Sequence, residues 1–146
     1  MTSETIAVAG DHAGFDLKET LKSDLQEMGY EVVDLGTHSR ESVDYPDFAN
    51  AMAQALSDGR AQRGVLVCGT GLGISISANR HPHIRAALVH ESLSARMARQ
   101  HNDANCIVFG GRMVGIEIAR DCLKAFLATE FEGGRHEQRV AKMSPR

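Results

Sequence analysis

The rhythm of apolar positions changes repeatedly along the chain. From Thr5 to Ala9 apolar residues run almost unbroken, as in a short buried strand. Phe15, Leu17, Leu21, Leu25 and Met28 then recur at helical spacing, and Gly29 supplies a C-terminal stop. Glu31 to Leu35 reads as a second strand, followed by a polar loop as far as Pro46. Phe48, Ala49, Met52, Ala55 and Leu56 mark a second helix that stops near Gly59. Gly64 to Cys68 is a third strand, apolar enough to be covered on both faces. A glycine-rich loop and a helix ending near Asn79 follow, then a strand from Ile84 to Val89 and a helix from Ser92 to Gln100. Ala104 to Phe109 is the fifth strand and Val114 to Ala128 the fifth long helical pattern. Residues 132–146 form a polar, basic tail with room for a short helix.

Five strand–helix alternations predict an α/β protein: a parallel sheet of five strands sandwiched between helical layers. Ligands of such sheets bind beyond the carboxyl ends of the strands. No internal repeat or linker interrupts the pattern, so residues 1–131 read as a single domain and 132–146 as its tail.

Composition narrows the class. Apolar residues make up 42% and charged residues 24% of 146, ordinary for a folded soluble domain. The net charge of −3 argues against a general nucleic-acid binder. That mean conceals a division. Residues 1–60 hold 12 Asp+Glu against 4 Lys+Arg, and residues 61–146 hold 7 against 12. No apolar run approaches the ~18–20 residues of a membrane span, and residues 1–5 lack the features of a signal peptide. The three cysteines, Cys68, Cys106 and Cys122, are odd in number and have no Cys-x-x-Cys spacing. Free thiols in a reducing cytoplasm are therefore expected. No histidine pairs with a cysteine at ligand spacing, so no zinc site is expected.

The strand ends carry the chemistry. The first leads into Gly10-Asp11-His12-Ala13-Gly14, the second toward Asp44-Tyr45-Pro46, and the third into Cys68-Gly69-Thr70-Gly71-Leu72-Gly73. Alternating glycines between a strand and a helix leave backbone N–H groups bare, which suits an anion. The segment is neither the dinucleotide fingerprint nor a P-loop, and a plain tight turn explains it equally well on its own. Cys68 beside it changes the balance. A thiolate can act as a general base, and neighbouring amides can stabilise an oxyanion. Buried Cys106 and Cys122 read instead as small core residues. His12 and His101 are candidates for moving protons. Arg135 and Arg139, at i and i+4, share a helix face and suit a phosphate, as does Arg112 after the fifth strand. A solvated basic tail is the plainer account of the first two.

Taken in order, the motifs Asp11-His12-Ala13-Gly14, Asp44-Tyr45-Pro46, Cys68 to Ser75, Arg99 to Asn105 and Glu132 to Val140 resemble those of the ribose-5-phosphate isomerases of the B type. The resemblance spans Ile6 to Val140. It implies a Rossmann-like fold that forms homodimers, sometimes tetramers, with no metal or organic cofactor. It implies interconversion of ribose 5-phosphate and ribulose 5-phosphate through an enediolate. By position, Cys68 matches the base, Thr70 its assistant and His101 the residue that opens the sugar ring. The amides of Gly69, Thr70, Gly71, Leu72 and Gly73 match the enediolate cradle. Asp11, His12, Tyr45, Asn102, Arg112, Arg135 and Arg139 match substrate or phosphate contacts, some supplied by the partner subunit. A glutamate base used in one branch of the family has no counterpart in Ile74-Ser75-Ile76. Two rivals remain on sequence: an isomerase of allose 6-phosphate, galactose 6-phosphate or a tetrose phosphate, and a non-catalytic sugar-phosphate binder on the same fold. The basic tail of one subunit is expected to meet the acidic front half of its partner.

Overall fold

A computed structural model describes residues 4–143. Residues 1–3, part of the stretch read for a signal peptide, and 144–146, the end of the basic tail, lie outside the described residues. The strands are β1 (Thr5–Gly10), β2 (Glu31–Asp34), β3 (Arg63–Cys68), β4 (Ala86–Leu88) and β5 (Cys106–Gly110). The helices are α1 (Phe15–Glu27), α2 (Tyr45–Ser57), α3 (Leu72–Ala78), α4 (Ser92–Asn102), α5 (Ile116–Ala128) and α6 (Arg135–Lys142). All strand pairs are parallel, in the order β2-β1-β3-β5-β4.

Alternation along the strands divides the core into two layers. Ile6 and Val8 of β1, Val65 and Val67 of β3, and Ile107 and Phe109 of β5 face α1, α4 and α5. Ala7 and Ala9, Leu66 and Cys68, and Cys106 and Val108 face the other way, onto α2 and α3. β1 therefore sends its crossover helix over one face, and β2 returns over the other to reach β3. The carboxyl ends of β1 and β3 bound the crevice where the winding reverses, the usual place for a ligand in an open parallel sheet.

Ion pairs inside the chain absorb part of the charge division. Arg63 grips Glu4 with two hydrogen bonds of 2.6 Å, and Arg120 reaches Asp24 at 2.8 Å. Arg135 and Arg139 are exposed and make no ion pair among the described residues. A buried ammonium anchors the acidic half. Lys18 is wholly enclosed, with Nζ 2.9 Å and 3.0 Å from the two Asp34 oxygens and 2.7 Å from Glu19. Burial works to raise the Asp34 pKa. Hydrogen bonds from Lys18, the Gly36 N–H and Lys22 outweigh it and hold the carboxyl at about 2.

Two expected boundaries move. Tyr45 is not a loop residue but the first residue of α2, with Pro46 directly behind it in the first turn, where a missing N–H costs nothing. His101 and Asn102 are not in the turn after α4 but inside its last turn. Asp103 ends the helix in the left-handed region, at φ 48°, while Ala104 N–H donates back to Ala98 O. Arg99 holds this cap through Nη1, which donates to Asp103 Oδ1 at 2.9 Å and to Ala104 O at 2.7 Å.

Candidate active site

The loops at the ends of β1, β3 and β5 converge on a cavity of about 270 Å³ lined by Asp11, His12, Ala13, Tyr45, Cys68, Gly69, Thr70, Gly73 and Arg112. Each wall is fixed by backbone bonds. Asp11, 5% exposed, accepts the Ala13 and Gly14 N–H groups at 3.0 Å and 3.1 Å and so folds a single 3-10 turn against the crevice. That turn presents His12. The Val43 N–H donates to His12 Nδ1 at 3.1 Å, which places the proton of the neutral ring on Nε2. At the β5 end, Gly111 N–H donates to Cys68 O at 2.8 Å and Arg112 N–H to Gly69 O at 2.9 Å. The Arg112 guanidinium consequently lies over Gly69.

The β3 loop carries the thiol. Cys68 ends its strand with the sulfur on the cavity wall, and the Gly71 N–H is aimed at Sγ from 3.2 Å. Gly71 reaches that pose at φ 80°, a conformation that favours glycine. Thr70 Oγ1 accepts the Leu72 N–H at 3.2 Å, which leaves the hydroxyl proton free to donate elsewhere. The amides of Gly73 and Ile74, in the first turn of α3, have no partner within the helix. Gly73 is required for a different reason. A Cβ there would sit 2.4 Å from Tyr45 Cζ, so the tyrosine ring closes over the loop only because no side chain stands beneath it. Ala13, which stands in the Asp11-His12-Ala13-Gly14 motif but is not among the expected contacts, also joins this wall.

His101, Asn102, Arg135 and Arg139 take no part in this cavity. The His101 ring stacks on His136, centroids 4.4 Å apart and 13° from parallel, where α6 lies on α4. Asn102 borders a separate cavity of about 560 Å³ with Asn79, Arg85 and Met143. Arg135 and Arg139 are exposed on α6. The single chain thus builds a complete thiol-and-amide pocket and leaves the remaining candidates elsewhere on its surface.

A thiol, a bare-amide loop, a histidine and an arginine at the switch point of a parallel sheet define an α/β enzyme for a small anionic substrate. Comparison with known proteins makes the class specific. Residues 6–143 match the family described as Ribose/Galactose Isomerase. The chain is 49% identical over 135 residues to ribose-5-phosphate isomerase B of Escherichia coli, covering 92% of this chain and 91% of that protein. It is 43% identical over 140 residues to D-erythrulose-4-phosphate isomerase of Pectobacterium atrosepticum, covering 95% and 92%. The crystal structure of a ribose 5-phosphate isomerase from Thermotoga maritima superposes with a TM-score of 0.96 at 50% identity, covering 98% of this chain and 99% of that one. The chain belongs to the ribose/galactose isomerase family and is an aldose–ketose isomerase. No helix among the described residues is long and apolar enough to cross a membrane.

Proposed function

We propose that this protein interconverts D-ribose 5-phosphate and D-ribulose 5-phosphate, as a homodimer in the reducing cytoplasm, within the pentose phosphate pathway. The observation that carries the chemistry is the Cys68 sulfur on the cavity wall with the Gly71 N–H directed at it. Aldose–ketose isomerisation removes a proton from the carbon beside a carbonyl and returns one to its neighbour. The Cys68 thiolate takes the C2 proton of the open-chain aldose, and the electron pair moves through the C1–C2 bond onto the carbonyl oxygen. The resulting enediolate becomes the ketose as the O2 hydroxyl proton passes to O1 and the Cys68 thiol returns its proton to C1. Amides of the Gly69–Gly73 loop face the oxygens as charge grows on them, and the free Thr70 hydroxyl proton assists. His12 donates Nε2–H toward the sugar, with Asp11, Tyr45 and Arg112 completing the near wall.

The rest of the proposed site comes from a second copy. His101 opens the furanose ring, while Arg135 and Arg139 hold the phosphate beside Asn102, all from the partner's 101–139 surface. The exposed state of the two arginines, with no ion pair of their own among the described residues, supports this division. The tail from residue 132 is then an interface element as well as part of the domain. Phosphate binding at that distance serves to orient the reacting carbons.

A second reading keeps the chemistry and changes the sugar. The similarity to a D-erythrulose-4-phosphate isomerase favours weighing a tetrose phosphate. A panel of four-, five- and six-carbon sugar phosphates, ranked by kcat/KM, decides between them. The five-carbon substrate is expected to lead by at least about tenfold; leadership by another chain length would overturn the ribose assignment and leave the isomerase standing.

A further inference from the structure

Among the described residues, the structure gathers metal-ligating side chains at one place outside the cavity: His101, Glu132 and His136, whose donor atoms all lie within 4.8 Å of one another. We infer that these three residues form a binding site for a divalent transition metal ion of the zinc class, and that an ion there withdraws His101 from catalysis. The second clause rests on the proposed role of His101; the first stands without it.

The geometry is held by the backbone. Glu132 N–H donates to Gln100 O at 3.0 Å, which pins the start of the tail to the residue before His101. His136 N–H donates to Gly133 O at 3.1 Å, which turns the first residues of α6 back over Glu132. Glu132 Oε1 lies 3.5 Å from His136 Nε2. Tetrahedral zinc holds its donors at ~2.0–2.1 Å, so neighbouring donors sit about 3.4 Å apart. The cluster needs to close by up to about 1.4 Å, with the stacked rings splaying as each turns a nitrogen toward the ion. Glu132 is exposed and free to follow.

The chemistry selects the ion. Two imidazoles and one carboxylate suit zinc, cobalt, nickel or copper, and disfavour magnesium and calcium, which want oxygen. His136 is buried, at 6% exposure. Arg135 and Arg139, near the cluster on α6, oppose a cation, while Glu132 offsets them. This balance suits a reversible inhibitory site rather than a permanent structural one. A fourth position stays open to water.

The test uses the full reduced chain. Zinc and cobalt are titrated by calorimetry and visible absorption, in the wild type and in Cys68→Ser, Glu132→Gln and His136→Asn variants whose folding is checked by circular dichroism. The expected result is one saturable site per chain, kept in Cys68→Ser and weakened at least about tenfold in Glu132→Gln and His136→Asn, the lower bound for losing even an outer-shell partner. The cobalt spectrum should lack a thiolate-to-metal band. Zinc should inhibit turnover reversibly by chelator, and Glu132→Gln, active without metal, should need at least about tenfold more zinc. Absence of saturable binding, or binding lost only with Cys68, overturns the inference. The binding arm requires no turnover, so its failure is distinct from failure of the isomerase reading. Binding without inhibition overturns only the clause about His101.

Discussion

Cys68 and His101 stand at opposite ends of one sheet. Cys68 is the last residue of β3 and pairs with Gly110, the last of β5. Cys106, the first residue of β5, pairs with Gly64 and follows His101 by only five positions. At ~3.3 Å per residue the four steps from Gly64 to Cys68 span about 13 Å of sheet, with the loops adding to it. Under the proposed roles, a base and a ring-opening histidine so placed meet between two copies of the chain.

Mixing should therefore restore activity. Cys68→Ala and His101→Ala chains are each expected to be slow as homodimers. Unfolded together and refolded as equal mixtures, half of the dimers are hybrids with one intact site. Recovery of about a quarter of wild-type turnover is the expected yield for a shared site in a twofold dimer. No recovery, with hybrids confirmed by mass spectrometry, contradicts a site shared across the interface.

Alkylation should single out Cys68. Burial pushes the Cys106 thiol up to about 12 and, with Asp121 and Glu91 adding to it, the Cys122 thiol up to about 11. Both remain protonated and enclosed at pH 8, whereas Cys68 opens onto the cavity. Iodoacetamide should add one label per chain, at Cys68 by peptide mapping, with activity lost in parallel and protected by substrate. Full activity with Cys68 labelled, or a first label at Cys106 or Cys122, counts against the assignment.

Two glycines should fail differently. At Gly73 an added Cβ meets the Tyr45 ring at 2.4 Å, and the half-exposed ring can swing away. Gly73→Ala is expected to raise KM several-fold with little loss of stability. At Gly14 the Cβ meets Val67 O at 2.4 Å, a backbone atom that cannot yield. Gly14→Ala should cost about 2–3 kcal/mol, as overpacking does, and lower Tm by roughly 5–10 °C. Equal Tm losses for the two would refute this distinction.

The Lys18–Asp34 pair sets the response to acid. Asp34 ionises at about 2 in the folded chain against 3.8 ordinarily. Its contribution is fully present above pH 4 and is lost as the pH falls toward 2, a change on the order of 2 kcal/mol. Asp34→Asn leaves the buried Lys18 ammonium with Glu19 alone and should cost about 3–5 kcal/mol at pH 7. That deficit should shrink between pH 4 and 2 in urea titrations. A deficit independent of pH contradicts the assignment to this pair.

The chain's rhythm carried most of the fold, because each strand is a compact apolar run bounded by turn residues. What it could not carry was position. Tyr45 looked like loop because the apolar stripe of α2 begins at Phe48, yet Pro46 extends the helix back by preference for its first turn. His101 and Asn102 fall in the last turn of α4 because the helix runs two residues past Gln100, to the left-handed stop at Asp103. The loops after β1, β3 and β5 were legible as one pocket from the rule of strand ends. The β2–β1–β3–β5–β4 order was not, since periodicity says nothing about which strands are neighbours. His136 was hidden for the same reason: its partner His101 is 35 positions away in sequence and one stacking distance away in space.

The most direct measurement is turnover of ribose 5-phosphate by a folded Cys68→Ala variant in deuterated water, followed by NMR. If Cys68 is the base, kcat should fall by at least about a thousandfold, in the upper part of the range for general-base loss, with KM little changed. Deuterium exchange at the product carbon beside the carbonyl should fall with it. Near wild-type turnover and exchange in this variant would contradict the account at its centre.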